Sequence, residues 1–352
     1  MIDRIHGGNC LKRNVIDFSV NINPLGLPEG LPDIILKNVD LIARYPDPSS
    51  ERLKRELAAL HGVGMENVAI GNGSIELIYL VPGAFKIKKA LIITPTFSEY
   101  EFAVRSSGSM PAFFNVFEKD DFKIDCGKLT RRLPYHDACF LCNPNNPTGS
   151  LLHSDDVLCI ARSCEKLGTV LVLDEAFIEF TRESKGVTII SEAVKNGSLV
   201  ILRSLTKFFA MPGLRLGYAI GHKRMVEKIS KLQYPWNVNG LAQLVGEKVL
   251  ADKGYMDRTR LFVAKERQYM LERLGSIKGL RVYPPSANFI LCKLQNASIG
   301  TAGELQKRLL RGGIYIRDCG NFRGLNEKFF RVAVRRRADN NRLINSIVKA
   351  LS

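Results

Sequence analysis

Short apolar runs alternate with amphipathic stretches along most of the chain. After Ser49-Ser50, the residues Leu53, Leu57 and Leu60 fall on one helical face. That spacing predicts a helix capped by the serine pair and stopped at Gly62. Residues 91–93 and 138–142 are continuous apolar runs, the pattern of strands buried on both faces. Residues 154–167 read as an amphipathic helix ended by Gly168, with a strand at 169–173 behind it; residues 199–202 and 217–220 add two more strands. This order predicts an α/β fold, a large domain whose mainly parallel sheet is covered by helices.

The tail has a different rhythm. Helical patterns around residues 240–275 lead into apolar runs at 280–283, 288–291, 314–316 and 329–334, which predict a smaller α+β domain. An N-terminal arm rich in Gly, Asn and Pro is expected to pack against it. The expected division is a large domain over 35–238, and a small domain built from 1–34 and 239–352.

Composition narrows the class. The 352 residues, 45% of them hydrophobic, suffice for a large core. No run of about 18 apolar residues predicts a membrane span, and the N-terminus has no apolar signal-peptide core. Eight scattered cysteines do not form a secreted disulfide framework. A cytoplasmic protein is expected. Cys139-Phe-Leu-Cys142 has metal or redox spacing, but it lies in a strand-like run with no second pair behind it, so no metal is expected. The net charge of +16 suits nucleic acid or small anionic ligands. No nucleic-acid fold signature accompanies it. The densest basic run, Arg335-Arg336-Arg337, reads as solvated surface.

The candidate chemistry centres on Ser204-Leu-Thr-Lys-Phe-Phe-Ala-Met-Pro-Gly-Leu-Arg215. A lysine in an apolar segment is costly unless its amine is neutral or bonded as a Schiff base. Ser204, Thr206 and Arg215 are groups that hold a phosphate. An aldehyde carrying a phosphate, pyridoxal 5'-phosphate (PLP), satisfies both. Four further polar motifs fall at predicted strand ends, where α/β sheets bind ligands. Gly71-Asn-Gly-Ser74 precedes a helix and suits a phosphate. Thr94-Pro-Thr-Phe97 offers a ring to cover a flat cofactor. Asn143-Pro-Asn-Asn-Pro-Thr-Gly149 is a fixed loop in which Asn146 can donate to a phenolate oxygen. Asp174-Glu175 ends a strand with a carboxylate suited to a protonated ring nitrogen.

Taken in this order, the motifs resemble the fold type I PLP enzymes, the aspartate aminotransferase superfamily, over essentially the whole chain. The resemblance implies Lys207 as the Schiff-base lysine, Asp174 as partner of the ring nitrogen, Asn146 as partner of the ring hydroxyl and Phe97 as the stacking ring. It places Gly73, Ser74, Ser204, Thr206 and Arg215 around the phosphate. It also implies that Tyr45 reaches the phosphate of a neighbouring subunit in a homodimer, and that Arg331 holds a substrate carboxylate.

Within the superfamily the chain is similar to the threonine-phosphate decarboxylases of cobalamin synthesis and to the histidinol-phosphate aminotransferases. His6-Gly-Gly-Asn9 followed by Asp17-Phe-Ser-Val-Asn-Ile-Asn-Pro-Leu-Gly26 resembles the decarboxylase N-terminus. Phe177 stands where aminotransferases usually place a tyrosine. The resemblance implies substrate contacts at His6, Gly7, Asn23, Arg317 and Arg331, with His6 and Arg317 on a substrate phosphate. The expected reaction is decarboxylation of L-threonine O-3-phosphate to (R)-1-amino-2-propanol O-2-phosphate. Histidinol-phosphate transamination and serine-phosphate decarboxylation are the alternatives, and a basic nucleic-acid-binding protein is the rival from another class. The choice between decarboxylation and transamination rests on which bond at Cα the pose sets perpendicular to the cofactor ring.

Overall fold

Seven strands form the large sheet, in the spatial order Val68–Asn72, Leu216–Ile220, Leu199–Ser204, Val170–Asp174, Ala138–Cys142, Lys89–Thr94, Met110–Asn115. The computed structural model describes residues 7–8, 14–181, 186–295 and 299–351. Five neighbouring strands run parallel; Leu216–Ile220 runs antiparallel to both of its neighbours. Successive residues of each strand enter different cores. Leu91 and Ile93 pack on one face of the sheet, Ala90 and Ile92 on the other. This two-sided burial explains why these strands read as unbroken apolar runs. It also separates Cys139 from Cys142: three residues apart on a strand, they lie on opposite faces.

The helix Glu51–His61 forms where the Leu53 and Leu57 spacing predicts it, and Gly62 ends it in the left-handed region. Its N-terminus differs from expectation. Ser50 makes no side-chain cap. Asp47 accepts from the Glu51 amide at 2.7 Å and the Ser49 amide at 2.9 Å, because its two oxygens reach both donors. Strands Val68–Asn72 and Met110–Asn115 are additions to the sequence reading. The second is half-exposed at the sheet edge, so its apolar signal is diluted.

The small sheet is antiparallel, in the order Arg317–Asp318, Phe329–Ala333, Phe289–Leu294, Leu280–Tyr283. The arm joins it as expected: Ile16–Asp17 pairs in parallel with Ile314–Tyr315, and the Ala333 amide donates to the Phe18 carbonyl. Helix Gly240–Leu250, placed with the small domain by the sequence reading, packs on Glu51–His61 of the large one, and Gln243 donates to the Asp47 carbonyl. Helix Lys253–Gly275 then carries the chain to the small sheet.

The arginine run is structural rather than merely solvated. Arg335 contacts Asp339 and the Asp17 carbonyl, Arg336 donates to the Pro24 and Leu25 carbonyls, and Arg337 pairs with Glu266. Part of the charge excess therefore fastens the arm to the C-terminal region. No helix among the described residues is long and apolar enough to cross a membrane.

Candidate active site

A cavity of about 710 Å³ opens at the carboxyl rim of the large sheet and is walled on its far side by the arm and the small sheet. Lys207 sits in the short helix Leu205–Phe208 directly after strand Leu199–Ser204. Its Nζ donates to Ser204 Oγ at 3.2 Å and lies 5.2 Å from the Phe177 ring centroid. Burial pushes this amine below the ordinary lysine range, against the opposing charge of Asp174. Such a lysine is nearer to the neutral form that attacks a carbonyl.

Asp174 ends its strand and is buried. One carboxylate oxygen accepts from Tyr100 Oη at 2.7 Å and the other from the Ala176 amide at 2.9 Å. Burial raises its pKa; Tyr100, Lys207 and the Ala176 amide oppose the rise. The residue after Asp174 and the residue before Ser204 pair with each other. Arg203 Nη2 lies 2.6 Å from Glu175 Oε2, both nearly inaccessible, which ties the strand end bearing Asp174 to the one bearing Ser204.

The anion cradle lies at the start of helix Ser74–Ala84. Its N-cap Gly73 has φ 74° and provides no side-chain cap, so the first amides of the helix remain available. Ser204 Oγ and Thr206 Oγ1 are 2.8 Å apart, and with Ser74 and Arg215 they line the same cavity. The close approach depends on two glycines. A Cβ at Gly73 would stand 2.5 Å from Arg215 Nη2, and one at Gly217 would stand 2.3 Å from the Ser74 amide nitrogen. Arg215 itself adopts φ 57°, a strained value for a side-chain-bearing residue. A cradle of hydroxyls, helix amides and a guanidinium, next to a buried amine, fits the phosphate and aldehyde of PLP. Among the described residues no group of three or more His, Cys, Asp or Glu side chains is placed to hold a metal.

On the small-domain side, Arg317 and Arg331 are direct cross-strand partners, and both are buried. Arg331 donates to Asn146 Oδ1 and, at 2.8 Å, to the Ser19 carbonyl, while its Nε has no acceptor. Burial lowers its pKa to about 10. Arg317 donates to Asn321 Oδ1 at 2.8 Å and lies 5.2 Å from the Phe322 ring centroid. Two adjacent buried cations favour anionic groups beside them.

Most residues singled out from the sequence converge here: Gly7, Gly73, Ser74, Phe97, Asn146, Phe177, Ser204, Thr206, Lys207, Arg215, Arg317 and Arg331 all line the cavity. Asn23 does not. Its side chain is consumed by the Phe208 carbonyl, Tyr255 Oη and Thr259 Oγ1, and its amide donates to the Lys207 carbonyl. It fixes the arm behind the lysine instead of facing a substrate. Tyr45 is 83% exposed and stacks near Trp236, outside this chain's cavity. His6 and Asn9 lie outside the described residues. Tyr100, Gly217 and Asn321 are additions. Only Tyr100 left a trace in the sequence, three residues after Phe97 on the same side of a helix start.

A doubly covered α/β sheet with a strand-end carboxylate, a buried lysine and a phosphate cradle on one rim defines a PLP enzyme of fold type I. The chain belongs to the aminotransferase class I and II family, whose profile matches residues 13–347 and whose members use PLP. It is 42% identical over 344 residues, 97% of this chain and 92% of the other, to a Caldanaerobacter subterraneus subsp. tengcongensis protein provisionally named a threonine-phosphate decarboxylase. It is 36% identical to the threonine-phosphate decarboxylase of Salmonella typhimurium, across 100% of this chain and 98% of that one. The crystal structure of the histidinol-phosphate aminotransferase from Clostridium acetobutylicum superposes with a TM-score of 0.88 at 32% identity, covering 94% of this chain and 98% of that one.

Proposed function

We propose that this protein decarboxylates L-threonine O-3-phosphate to (R)-1-amino-2-propanol O-2-phosphate in a PLP-dependent reaction. The observation that carries the reading is the side-by-side burial of Arg317 and Arg331 facing one cavity with Lys207. Two adjacent guanidiniums suit an amine with two anionic groups, and threonine phosphate has a carboxylate and a phosphate. Histidinol phosphate has only the phosphate. The two decarboxylase relatives support the same choice. So does Phe177, whose ring contacts Lys207 without supplying a phenol.

When bound, PLP supplies an electron sink conjugated to the substrate nitrogen. The protein's own groups do the rest. Arg331 holds the carboxylate and Arg317 the phosphate. Asp174 supplies the negative charge that would keep a ring nitrogen protonated. With that sink bound, loss of the carboxylate as CO2 would leave Cα to be reprotonated, and the Lys207 amine would deliver that proton.

The active form in this reading is a cytoplasmic homodimer. Leu36, Ile42, Tyr45 and Tyr234 are each more than 70% exposed, an apolar load suited to a second copy of the chain, with Tyr45 reaching the neighbouring cradle.

The deciding experiment supplies the holoenzyme with L-threonine phosphate and follows CO2 and 2-oxo acid separately. Stoichiometric CO2 without an added 2-oxo acid acceptor is expected. Turnover of histidinol phosphate that depends on 2-oxoglutarate, with no CO2 released, would instead place the protein among the aminotransferases. Comparing kcat/KM for serine phosphate and threonine phosphate decides between those two substrates.

A further inference from the structure

The cavity wall that carries Arg317 is fastened to the edge of the large sheet by the turn that follows it. After strand Arg317–Asp318 the chain turns through Cys319-Gly-Asn-Phe-Arg-Gly-Leu325 before entering strand Phe329–Ala333. Two residues of this turn face the cavity, and both touch Arg317: Asn321 accepts from its Nη2, and the Phe322 ring lies beneath its guanidinium. The next residue, Arg323, reaches the other way. Its guanidinium carbon stands 3.8 Å from the Phe113 ring centroid, on the edge strand of the large sheet. Its Nε and Nη2 lie 3.3 Å from the carboxylate of Glu101, on helix Glu99–Ser106. Glu101 is buried but Arg323 is 39% exposed, so the pair is partly screened, and Glu101 Oε1 also meets Arg105 Nη2 at 2.8 Å. Gly324 follows at φ 90°, where a Cβ would stand 3.6 Å from the Pro95 ring and nitrogen, two residues before Phe97.

We infer that Arg323 is a positioning residue for the substrate phosphate: clipped to Glu101 and Phe113, it fixes the turn whose Asn321 and Phe322 aim Arg317 into the cavity. The inference rests on the assignment of Arg317 to that phosphate. A long cation on a short turn has many rotamers, and so does its neighbour Arg317. Pinning one to the large domain removes freedom from the turn before substrate arrives, so less is lost on binding. Glu101 and Phe113 belong to helix Glu99–Ser106 and to the edge strand Met110–Asn115, and neither lines the cavity. Loss of the clip therefore loosens substrate grip and leaves the cofactor cradle intact.

The test uses the holoenzyme and three variants: Arg323→Met, Glu101→Gln and their combination. With threonine phosphate, Arg323→Met should raise KM about 5- to 20-fold and leave kcat within about two-fold, the signature of lost binding rather than lost chemistry. Glu101→Gln, which also loses the Arg105 pair, should act in the same direction, and the double variant should fall short of the sum of the two singles, because the Arg323–Glu101 contact is lost in both. Arg323→Lys, which retains the charge and the ring contact, should recover part of the loss. Visible absorbance of the bound cofactor and its retention on dialysis should match wild type. If KM is unchanged in Arg323→Met, or if kcat and cofactor retention fall in step with KM, the inference is overturned. If wild type turns over histidinol phosphate instead, the decarboxylase reading fails alone, and the same comparison made with that substrate judges the clip. If wild type accepts neither phosphorylated amine, both readings fall.

Discussion

Tyr100 Oη donates a 2.7 Å hydrogen bond to Asp174 Oδ2 inside the sheet's second core, where neither residue is open to solvent. The same ring meets Phe97 edge-on at 5.7 Å and stacks on Phe140 at 5.5 Å. One phenol thus supports both the carboxylate and the ring expected to contact the cofactor. Tyr100→Phe keeps the packing and removes the donor. Burial already raises the Asp174 pKa, so the ionised form is the one that needs the phenol. The cofactor-free variant should lose about 1.5–3 kcal/mol of stability at pH 7, the range for a hydrogen bond to a charged group. The deficit should shrink as pH falls and the carboxyl protonates in the folded state. Urea unfolding of both proteins at pH 7 and near pH 4 measures this; an equal deficit at both would refute it.

His61 provides a second pH-dependent term. Its Nε2 lies 2.8 Å from Tyr218 Oη, and burial, reinforced by the nearby Arg203, lowers its pKa to about 4. The unfolded chain takes up this proton near pH 6.5, the folded protein only near pH 4. Stability is therefore lost as pH drops through that window, by on the order of 2–3 kcal/mol. His61→Gln should flatten the decline between pH 6.5 and 4. A variant with the same slope as wild type would show that other groups set it.

Gly217→Ala should damage the cradle from behind. Its new Cβ would lie 2.3 Å from the Ser74 amide nitrogen and 2.9 Å from the Arg203 carbonyl, both backbone atoms that cannot swing aside. We expect about 1–3 kcal/mol of destabilisation and measurably weaker PLP retention on dialysis. Wild-type retention would mean that the strands part without disturbing the helix start.

Arg331→Met should separate function from stability. The guanidinium is buried, its Nε lacks an acceptor, and its partners among the described residues are neutral. Removing it relieves a desolvated charge while stranding two acceptors, so the Tm of the cofactor-free protein should move by only a few degrees. The kcat/KM should fall at least about 10- to 150-fold, the equivalent of a charged contact of about 1.5–3 kcal/mol. A large drop in Tm with little loss of activity would reassign Arg331 to structure.

Tyr45 is testable by complementation. Lys207→Ala chains, expected to be inactive, are mixed with chains carrying Tyr45→Ala. If Tyr45 serves its neighbour, a heterodimer contains one intact site, and activity should reappear on subunit exchange. No recovery in a mixture shown to exchange, or a monomeric wild type in solution, would remove the shared site.

The sequence revealed what depends on short range. Strand Ala138–Cys142 and helix Ser154–Leu167 have the boundaries that their sequence predicts, the strand because it is buried throughout and the helix because one face is buried at Val157, Ile160, Ala161 and Cys164 and Gly168 ends it. The strand-end motifs were legible because turn chemistry, glycines and a misplaced lysine are visible locally. Partnerships across the fold were not. Asn23 was expected to face a substrate, but its amide is spent on carbonyls and hydroxyls from residues 208, 255 and 259. Nothing in the sequence alone pairs Arg203 with Glu175 or Arg323 with Glu101. Their roles exist only once strands Val170–Asp174 and Leu199–Ser204 are adjacent and the small sheet is in place.

The pairing of Ile16–Asp17 with Ile314–Tyr315 bears on how the protein comes into being. The arm is made early, yet its strand partner among the described residues is made roughly 300 residues later, a delay of about 15–60 seconds at 5–20 residues per second. Only in the last part of that interval, once strand Leu216–Ile220 is made, can the large sheet be assembled, with Lys207 and the cradle in position and one wall of the cavity missing. Nascent chains are thus exposed at an unfinished pocket whose cofactor-binding half precedes its substrate-binding half. Cofactor present during synthesis would meet that first half before the arm and the small sheet close over it.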